Sequence, residues 1–542
     1  MSDATFSSTV FSPNGAAVGG ATKAAAHPQL FGAAEELRTR RTAAVTGNEL
    51  ATQRRHEQGR RTARERIDLL VDPGSFVEID LFARHRATGF GMERNRPATD
   101  GVITGWGRVD GRRIAVYAHD ARCFGGSLGE TFAGKIHKLQ DLAEAAGVPI
   151  VGINDGGGAR IQEGPLALAG FGGIFRRNVR ASGVIPQISV IAGACAGGAA
   201  YSPALTDFVF MVRGMATMFI TGPDVVSAVT GERVGAAELG GTNVHGRHSG
   251  VASFVVDDEV TCFREVRDLL ALLPANNNEP PPRYATVDPP DRQCPELFDI
   301  VPMRSSRSYD MRRVIELLVD DGDFFEVQAD WAPNIICGLA RLNGATVGFV
   351  GNQPAVLAGT IDIDAAEKAA RFVRFCDAFG IPLVTLVDVP GFLPGRDQER
   401  DGIVRRGAKL VYAYCEATVP RISVVLRKAY GGAFIAMDSR SVGADLAYAW
   451  PSNEIAVMGA EGAASIIHRR EIAAADNPER RRQELTTEYA DTALNPYAAA
   501  ERGLVDDVID PADTRRILIE SLALLTSKRA DAPYRKHGNG PQ

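Results

Sequence analysis

Gly147–Asp155 reads GVPIVGIND, and Gly380–Asp388 reads GIPLVTLVD. In each, a glycine able to take positive φ stands where a helix would stop, and a short β-branched run then ends in aspartate. Upstream of the first, Ile136, Leu139, Leu142, Ala143 and Ala146 recur at helical spacing. Upstream of the second, Ala369, Phe372, Phe375, Cys376 and Phe379 do the same. Continuous apolar strands alternating with amphipathic helices predict parallel sheets in an α/β fold.

Working outward, the likeness extends. VIPQISVI (Val184–Ile191) answers TVPRISVV (Thr418–Val425), and CAGGAAY (Cys195–Tyr201) answers AYGGAFI (Ala429–Ile435), each 234 residues on. RIDLLVDPGSFVE (Arg66–Glu78) answers VIELLVDDGDFFE (Val314–Glu326) at a spacing of 248. The change of spacing assigns about 15 extra residues to the first copy, ARHRATGFGMERNRP, which has no counterpart. Such a period is too long for a solenoid and implies two similar domains. Pro274–Arg292, PANNNEPPPRYATVDPPDR, has no helical or strand period and reads as an extended connector. The expected division is a flexible tail over 1–30, a domain over 31–273, a linker over 274–293, a second domain over 294–530 and a tail over 531–542.

The 542 residues are 45% hydrophobic and 23% charged, with net charge −6, which offers no electrostatic footprint for nucleic acid. No apolar run approaches the roughly 20 residues of a membrane helix, and the N-terminus lacks the pattern of a signal peptide. Seven scattered cysteines without a CxxC pair disfavour a zinc ribbon or thioredoxin-type site and suit a reduced, cytoplasmic chain. No metal site is expected.

Fifty-seven glycines exceed the usual ~7% and are clustered. In each copy a β-run (Ile188–Ala192, Ile422–Leu426) leads into a Gly-Gly pair, Gly197-Gly198 or Gly431-Gly432. A helix opened by such a turn presents unpaired N–H groups with the dipole favouring negative charge. Two amides aimed at one point make an oxyanion hole. Glycines could instead serve only close helix–sheet packing; their recurrence beside the Gly-rich loops DGGGARIQEG (Asp155–Gly164) and DVPGFLPG (Asp388–Gly395) favours a site. Neither loop fits a P-loop or dinucleotide fingerprint, and GxSxG and HExxH are absent. His137, His245 and His468 carry no ligand spacing. Asp155 and Asp388 could act as acids or bases, or cap the loops that follow. Two anion-stabilising turns without a side-chain base suit enolate-like intermediates, with the base supplied by a cofactor.

DGGGARIQEG, GVIPQISVIAGACAGGAAYSPALTDF (Gly183–Phe208), MFITGPDVV, ELGGTNVHGRHSGVA and RKAYGGAFIAM closely resemble the carboxyltransferase β subunit of biotin-dependent acyl-CoA carboxylases, the acetyl-CoA and propionyl-CoA carboxylase β chains. The resemblance covers about residues 33–530. It implies two crotonase-like domains, each a ββα superhelix, in a homohexamer whose active sites lie between one subunit's N domain and its partner's C domain. The N domain would take acyl-CoA and the C domain carboxybiotin. The Gly197 and Gly198 amides would hold the thioester oxyanion. On the biotin side, in the turn begun by Gly431, the Gly432 and Ala433 amides would hold the ureido oxygen. Carboxybiotin would release CO2, the biotin anion would take the α-proton, and the enolate would attack CO2 to give malonyl-CoA or methylmalonyl-CoA.

The family pattern Asp-Ser-Gly-Gly-Ala-Arg is met here by Asp155-Gly156-Gly157-Gly158-Ala159-Arg160, and Gly-Pro-Cys by Gly193-Ala194-Cys195. Propionyl-type relatives tend to carry Asp where Ile435 stands, so Ile435 implies acetyl-CoA acceptance, alongside propionyl-CoA; alternatively Ile435 packs in the core. With no Ala-Met-Lys-Met motif or biotin carboxylase ATP loop, a biotinylated α subunit (biotin carboxylase and carrier) is the implied partner. The need for a small accessory subunit is open, as is contact of Arg160 or Arg427 with CoA phosphates. A transcarboxylase or biotin-dependent acyl-CoA decarboxylase subunit is the alternative enzyme. An inactive scaffold is argued against by both intact turns.

Overall fold

The computed structural model describes residues 28–304, 306–530 and 533–541. Most of the expected N-terminal tail lies outside the described residues, as do 531, 532 and 542 of the C-terminal one. Residues 28–30, assigned to that tail, instead begin a helix, Pro28–Thr46.

Two eight-stranded sheets carry the fold. The first contains β1 (Val77–Ile79), β2 (Val102–Val109), β3 (Arg112–His119), β4 (Ile150–Gly156), β5 (Gln187–Ala196), β6 (Phe208–Val212), β7 (Thr217–Phe219) and β8 (Phe254–Val256). The second contains β9 (Phe324–Val327), β10 (Ile335–Leu342), β11 (Ala345–Asn352), β12 (Leu383–Val389), β13 (Arg421–Tyr430), β14 (Leu446–Ala449), β15 (Glu454–Ala456) and β16 (Asp507–Val508). Their orders, β1-β2-β3-β4-β5-β6-β8 with β7 beside β5, and β9-β10-β11-β12-β13-β14-β16 with β15 beside β13, are the same path. The duplication read from sequence is a duplication of topology. The unmatched first-copy segment falls between β1 and β2, where residues 80–101 stand against 328–334 in the second sheet.

The sheets are mixed rather than parallel throughout. β1-β2-β3 and β9-β10-β11 pair antiparallel, and the remaining strands pair parallel. For β2-β3 and β10-β11 the physical reason is a two-residue hairpin in each half. Asp110-Gly111 has φ of 49° and 79°, and Asn343-Gly344 has 50° and 74°. Positive φ at both central residues gives a turn that reverses the chain with the twist of its strands, and Asp-Gly and Asn-Gly favour it.

Six helices position the site: α1 (Glu130–Ala146), α2 (Pro165–Ala181) and α3 (Gly198–Ala204) in the first half, and α4 (Ile363–Ala378), α5 (Ile403–Glu416) and α6 (Gly431–Ala436) in the second. α1 buries Phe132, Ile136, Leu139 and Ala143, leaves Leu142 and Ala146 of the expected face exposed, and stops at Gly147 with φ 63°. α4 buries Ala369, Phe372, Phe375 and Cys376 and starts on Asp362, whose side chain caps the Ala365 N–H. Each Phe, Ile or Leu among them contributes about 1.5–3 kcal/mol when fully buried.

The halves are joined by a shared core. Phe208 meets Phe375 edge-on at 4.7 Å, and Phe254 meets Phe325 at 5.0 Å. Arg371 Nη2 donates to Thr206 O at 2.6 Å, and Gln328 N to Ser253 O at 2.9 Å. The Pro-rich connector packs as well: Tyr284 N donates to Gly344 O, and the Arg341 guanidinium lies 4.3 Å from the Tyr284 ring.

Candidate active site

Open α/β sheets bind ligands at the carboxyl ends of their central strands. β5 is flanked by β4, β6 and β7, and β13 by β12, β14 and β15, and each ends in a Gly-Gly turn. Gly197 has φ 64° and Gly431 φ 58°, a left-handed backbone that a side chain would strain. The turn breaks the strand and opens a helix within one residue. α3 then begins at Gly198, and α6 at Gly431.

At the first turn the unpaired amides lie one residue further on than the expected Gly197-Gly198 pair. The Gly197 N–H is already donated to Phe219 O at 3.0 Å, so this amide is withdrawn from the site. Gly198 and Ala199 open the helix and have no carbonyl one turn back within it, whereas Ala200 N donates to Gly197 O. The donor pair is therefore Gly198-Ala199. The repeat spacing of 234 already contained this signal, because it maps Gly432 and Ala433 onto Gly198 and Ala199.

Space differs between the turns. A methyl built on Gly198 would come within 2.9 Å of the Phe171 ring, whereas one on Gly432 would meet no atom within 4 Å. Gly432 is exposed and Ala433 is buried. The second turn thus has room for a ring against its backbone. Ile435, on the next stretch of α6, is 45% exposed and does not belong to the core; its counterpart Tyr201 on α3 is 50% exposed.

Asp155 and Asp388 are neither free acids nor loop caps. Each is buried and salt-bridged at the bulge between its strand and the next. Asp155 Oδ2 meets Arg66 Nη1 at 2.8 Å and Arg55 Nη2 at 2.6 Å; Arg66 also reaches Glu259 at 2.5 Å and Ala192 O at 2.7 Å. Asp388 Oδ2 accepts from Arg427 Nε at 3.0 Å, and its Oδ1 from Lys428 N at 3.2 Å. Arg427 Nη1 faces the carbonyls of Pro302, Arg304 and Arg307, and its Nη2 lies 2.9 Å from Asp388 Oδ2. Arg160 is held by Asp100 and Glu163, both at 2.7 Å. Neither Arg160 nor Arg427 is available to a phosphate, since both are fully buried and internally committed.

The histidines bear structural contacts. His137 Nε2 lies 2.9 Å from Gly170 O, His245 Nε2 2.6 Å from Met218 O, and His468 Nδ1 3.1 Å from Glu471. His119, beside Asp155, stacks on Tyr117 and meets Phe132 edge-on, and burial pushes its pKa down to about 4. Among the described residues there is no group of three His, Cys, Asp or Glu side chains placed to hold a metal, and no helix long and apolar enough to cross a membrane. What the arrangement offers chemically is two sets of main-chain donors on rigid, ion-paired supports.

A family model described as the carboxyl transferase domain matches residues 54–540. The propionyl-CoA carboxylase beta chain of Saccharopolyspora erythraea is 55% identical over 94% of this chain and 95% of its own. Methylmalonyl-CoA decarboxylase subunit alpha of Veillonella parvula is 52% identical over 91% of this chain and 96% of its own. The crystal structure of transcarboxylase 12S, a hexamer with methylmalonyl-coenzyme A and methylmalonic acid bound, superposes with TM-score 0.92 at 51% identity, covering 94% of this chain and 98% of that one. The two halves are therefore crotonase-like domains, and the chain belongs to the carboxyl transferase family, as a β subunit of the biotin-dependent acyl-CoA carboxylase type.

Proposed function

We propose that this protein moves a carboxyl group from carboxybiotin, borne on a biotinylated α subunit, to the α-carbon of acetyl-CoA or propionyl-CoA. The observation that carries the reading is the pair of glycine turns at equivalent strand ends, each opening a helix with two adjacent amides. The first half, 31–273, takes the acyl-CoA; Gly198 and Ala199 N–H groups donate to the thioester oxygen as it becomes an enolate. The second half, 294–530, takes the biotin; Gly432 and Ala433 donate to the ureido oxygen, and the open space over Gly432 fits a ring lying on the backbone. Preorganised donors of this kind contribute about 3–4 kcal/mol each when charge develops on the oxygen they face. The carboxyl group and the base that removes the α-proton are supplied by the biotin, so the chain needs none of its own. Its part is to hold both reactants and balance the charge on each oxygen.

The two turns crown different sheets, and we place the working site between the first half of one copy and the second half of another, in a hexamer. The 12S transcarboxylase core is such a hexamer. Seven unpaired cysteines support a cytoplasmic setting. Relatedness to a decarboxylase subunit and to transcarboxylase supports a second reading, in which the same two half-sites work in another direction. The test is bicarbonate fixation by the purified chain with a biotinylated α chain, using acetyl-, propionyl- and butyryl-CoA. Incorporation into acetyl- or propionyl-CoA is expected; none into any of the three overturns the reading.

A further inference from the structure

The two turns differ beside their glycines in a way that packing alone does not require. β7 adds to β5 with Ala194 opposite Thr217 and Ala196 opposite Phe219. β15 adds to β13 with Lys428 opposite Glu454 and Tyr430 opposite Ala456. The aromatic ring has changed strands. In the first half it is Phe219, 3.5 Å from where a methyl on Gly222 would stand; in the second it is Tyr430, 3.6 Å from the same point on Gly459. Each glycine precedes the helix that follows, Pro223–Thr230 or Ala460–Ile467. Ring volume is conserved, so a phenylalanine at 430 would satisfy the packing.

The second half instead carries a hydroxyl and a carboxylate where the first has a benzene ring and a threonine. The Tyr430 hydroxyl donates to Glu454 Oε2, and both side chains are partly exposed. With its hydrogen committed to a carboxylate, the phenol oxygen keeps lone pairs to accept an N–H. A cyclic urea has such a donor on the ring nitrogen that does not carry the carboxyl group. Tyr430 directly precedes Gly431, whose turn we assign to that ring's oxygen.

We propose that Tyr430, oriented by Glu454, is a positioning residue that accepts the free ring N–H of the urea at the second turn, and that this polar pair distinguishes the biotin half-site from the acyl-CoA half-site. The inference rests on the carboxyl-transfer reading above.

The test uses the full chain with free biotin as carboxyl acceptor and malonyl-CoA or methylmalonyl-CoA as donor. Tyr430→Phe should raise the KM for biotin roughly five- to tenfold, the worth of one hydrogen bond. The KM for the acyl-CoA should stay within about twofold, and thermal unfolding should be unchanged. Glu454→Gln, which keeps an acceptor but not the charge, should give a smaller rise in the same constant. An unchanged biotin KM in Tyr430→Phe overturns the proposal, as does an equal rise for both substrates, which would mark a general structural role. Wild-type protein that transfers no carboxyl group in either direction overturns the parent reading instead, and this inference with it.

Discussion

Behind α3, Asn178, Gln187 and Ser202 share a neutral network: Asn178 Nδ2 donates to Gln187 Oε1 at 2.9 Å and Ser202 Oγ to Asn178 Oδ1 at 3.0 Å. Behind α6, Arg421 stands at the position of Gln187, and its Nη1 donates to Asp438 Oδ1 at 2.6 Å, with Thr385 at 3.3 Å on the other oxygen. The same turn is thus supported by amides in one half and by a buried ion pair in the other. The bulge below shows a second exchange. Arg427 grows from β13 itself, whereas its counterpart in β5 is Gly193, and the arginine arrives from the helix Ala63–Leu70 as Arg66. Gly193 must stay small, since a methyl there would fall 2.0 Å from Asp155 Oδ1. After duplication, what persisted is a carboxylate neutralised under each turn, not the residue that neutralises it.

The largest effect should come from removing those arginines. Arg427→Ala should cost about 3–5 kcal/mol in urea unfolding, because it leaves the buried Asp388 carboxylate without its arginine; Arg66→Ala should cost about 1–3 kcal/mol, because Arg55 still meets Asp155 at 2.6 Å. A cost below about 1 kcal/mol in either would break the equivalence. Gly193→Ala should destabilise as well, through its clash with Asp155.

Next come the donors themselves. Gly432→Ala keeps its N–H and meets no protein atom, so its fold should be intact, while its methyl stands in the space left open to the ligand and kcat/KM should fall by about tenfold or more. Unfolding temperature and turnover together check this; full turnover would remove the second oxyanion site. Gly198→Val should also abolish transfer, but there a clash with Phe171 adds to the effect on the site.

A smaller effect separates the charged support from the neutral one. Burial raises the Asp438 carboxyl to about 6, despite the opposing pull of Arg421. A raised acid favours the protonated fold, so its stability contribution is full below about pH 4 and lost as pH rises through about 6. Relative to Asp438→Asn, the wild type should therefore lose about 2–3 kcal/mol between pH 4 and pH 7. Parallel curves for the two proteins would show that the pair does not titrate in the fold.

The smallest expected change is in acyl preference. Ile435→Asp should move the ratio of kcat/KM from acetyl-CoA towards propionyl-CoA by about tenfold, the scale of one methylene-sized pocket difference. An unchanged ratio would leave Ile435 without a specificity role.

Much of this was legible before any coordinates. The face of α4, that of α1 apart from the exposed Leu142 and Ala146, the glycine stops and the strands after them follow from apolar spacing and from residues that tolerate positive φ. Asp110-Gly111 and Asn343-Gly344 are equally legible as hairpins, and each makes its sheet mixed where strands alternating with helices imply parallel pairing. Ala199 could have been found by applying the repeat spacing strictly. Nothing local marks the Gly197 N–H as occupied, because its acceptor, Phe219 O, lies 22 residues on. Nor does sequence tell which arginine meets Asp155.

By itself, then, the order of residues determined the duplicated topology, the place of both turns and the kind of group they present, because these depend on backbone preference and on periods of two and 3.6 residues. Tertiary structure alone decided which amides stay open and which carboxylates are silenced. Those outcomes depend on partners brought from distant parts of the chain, and a hydrogen bond or ion pair is fixed by distance in space rather than along the sequence.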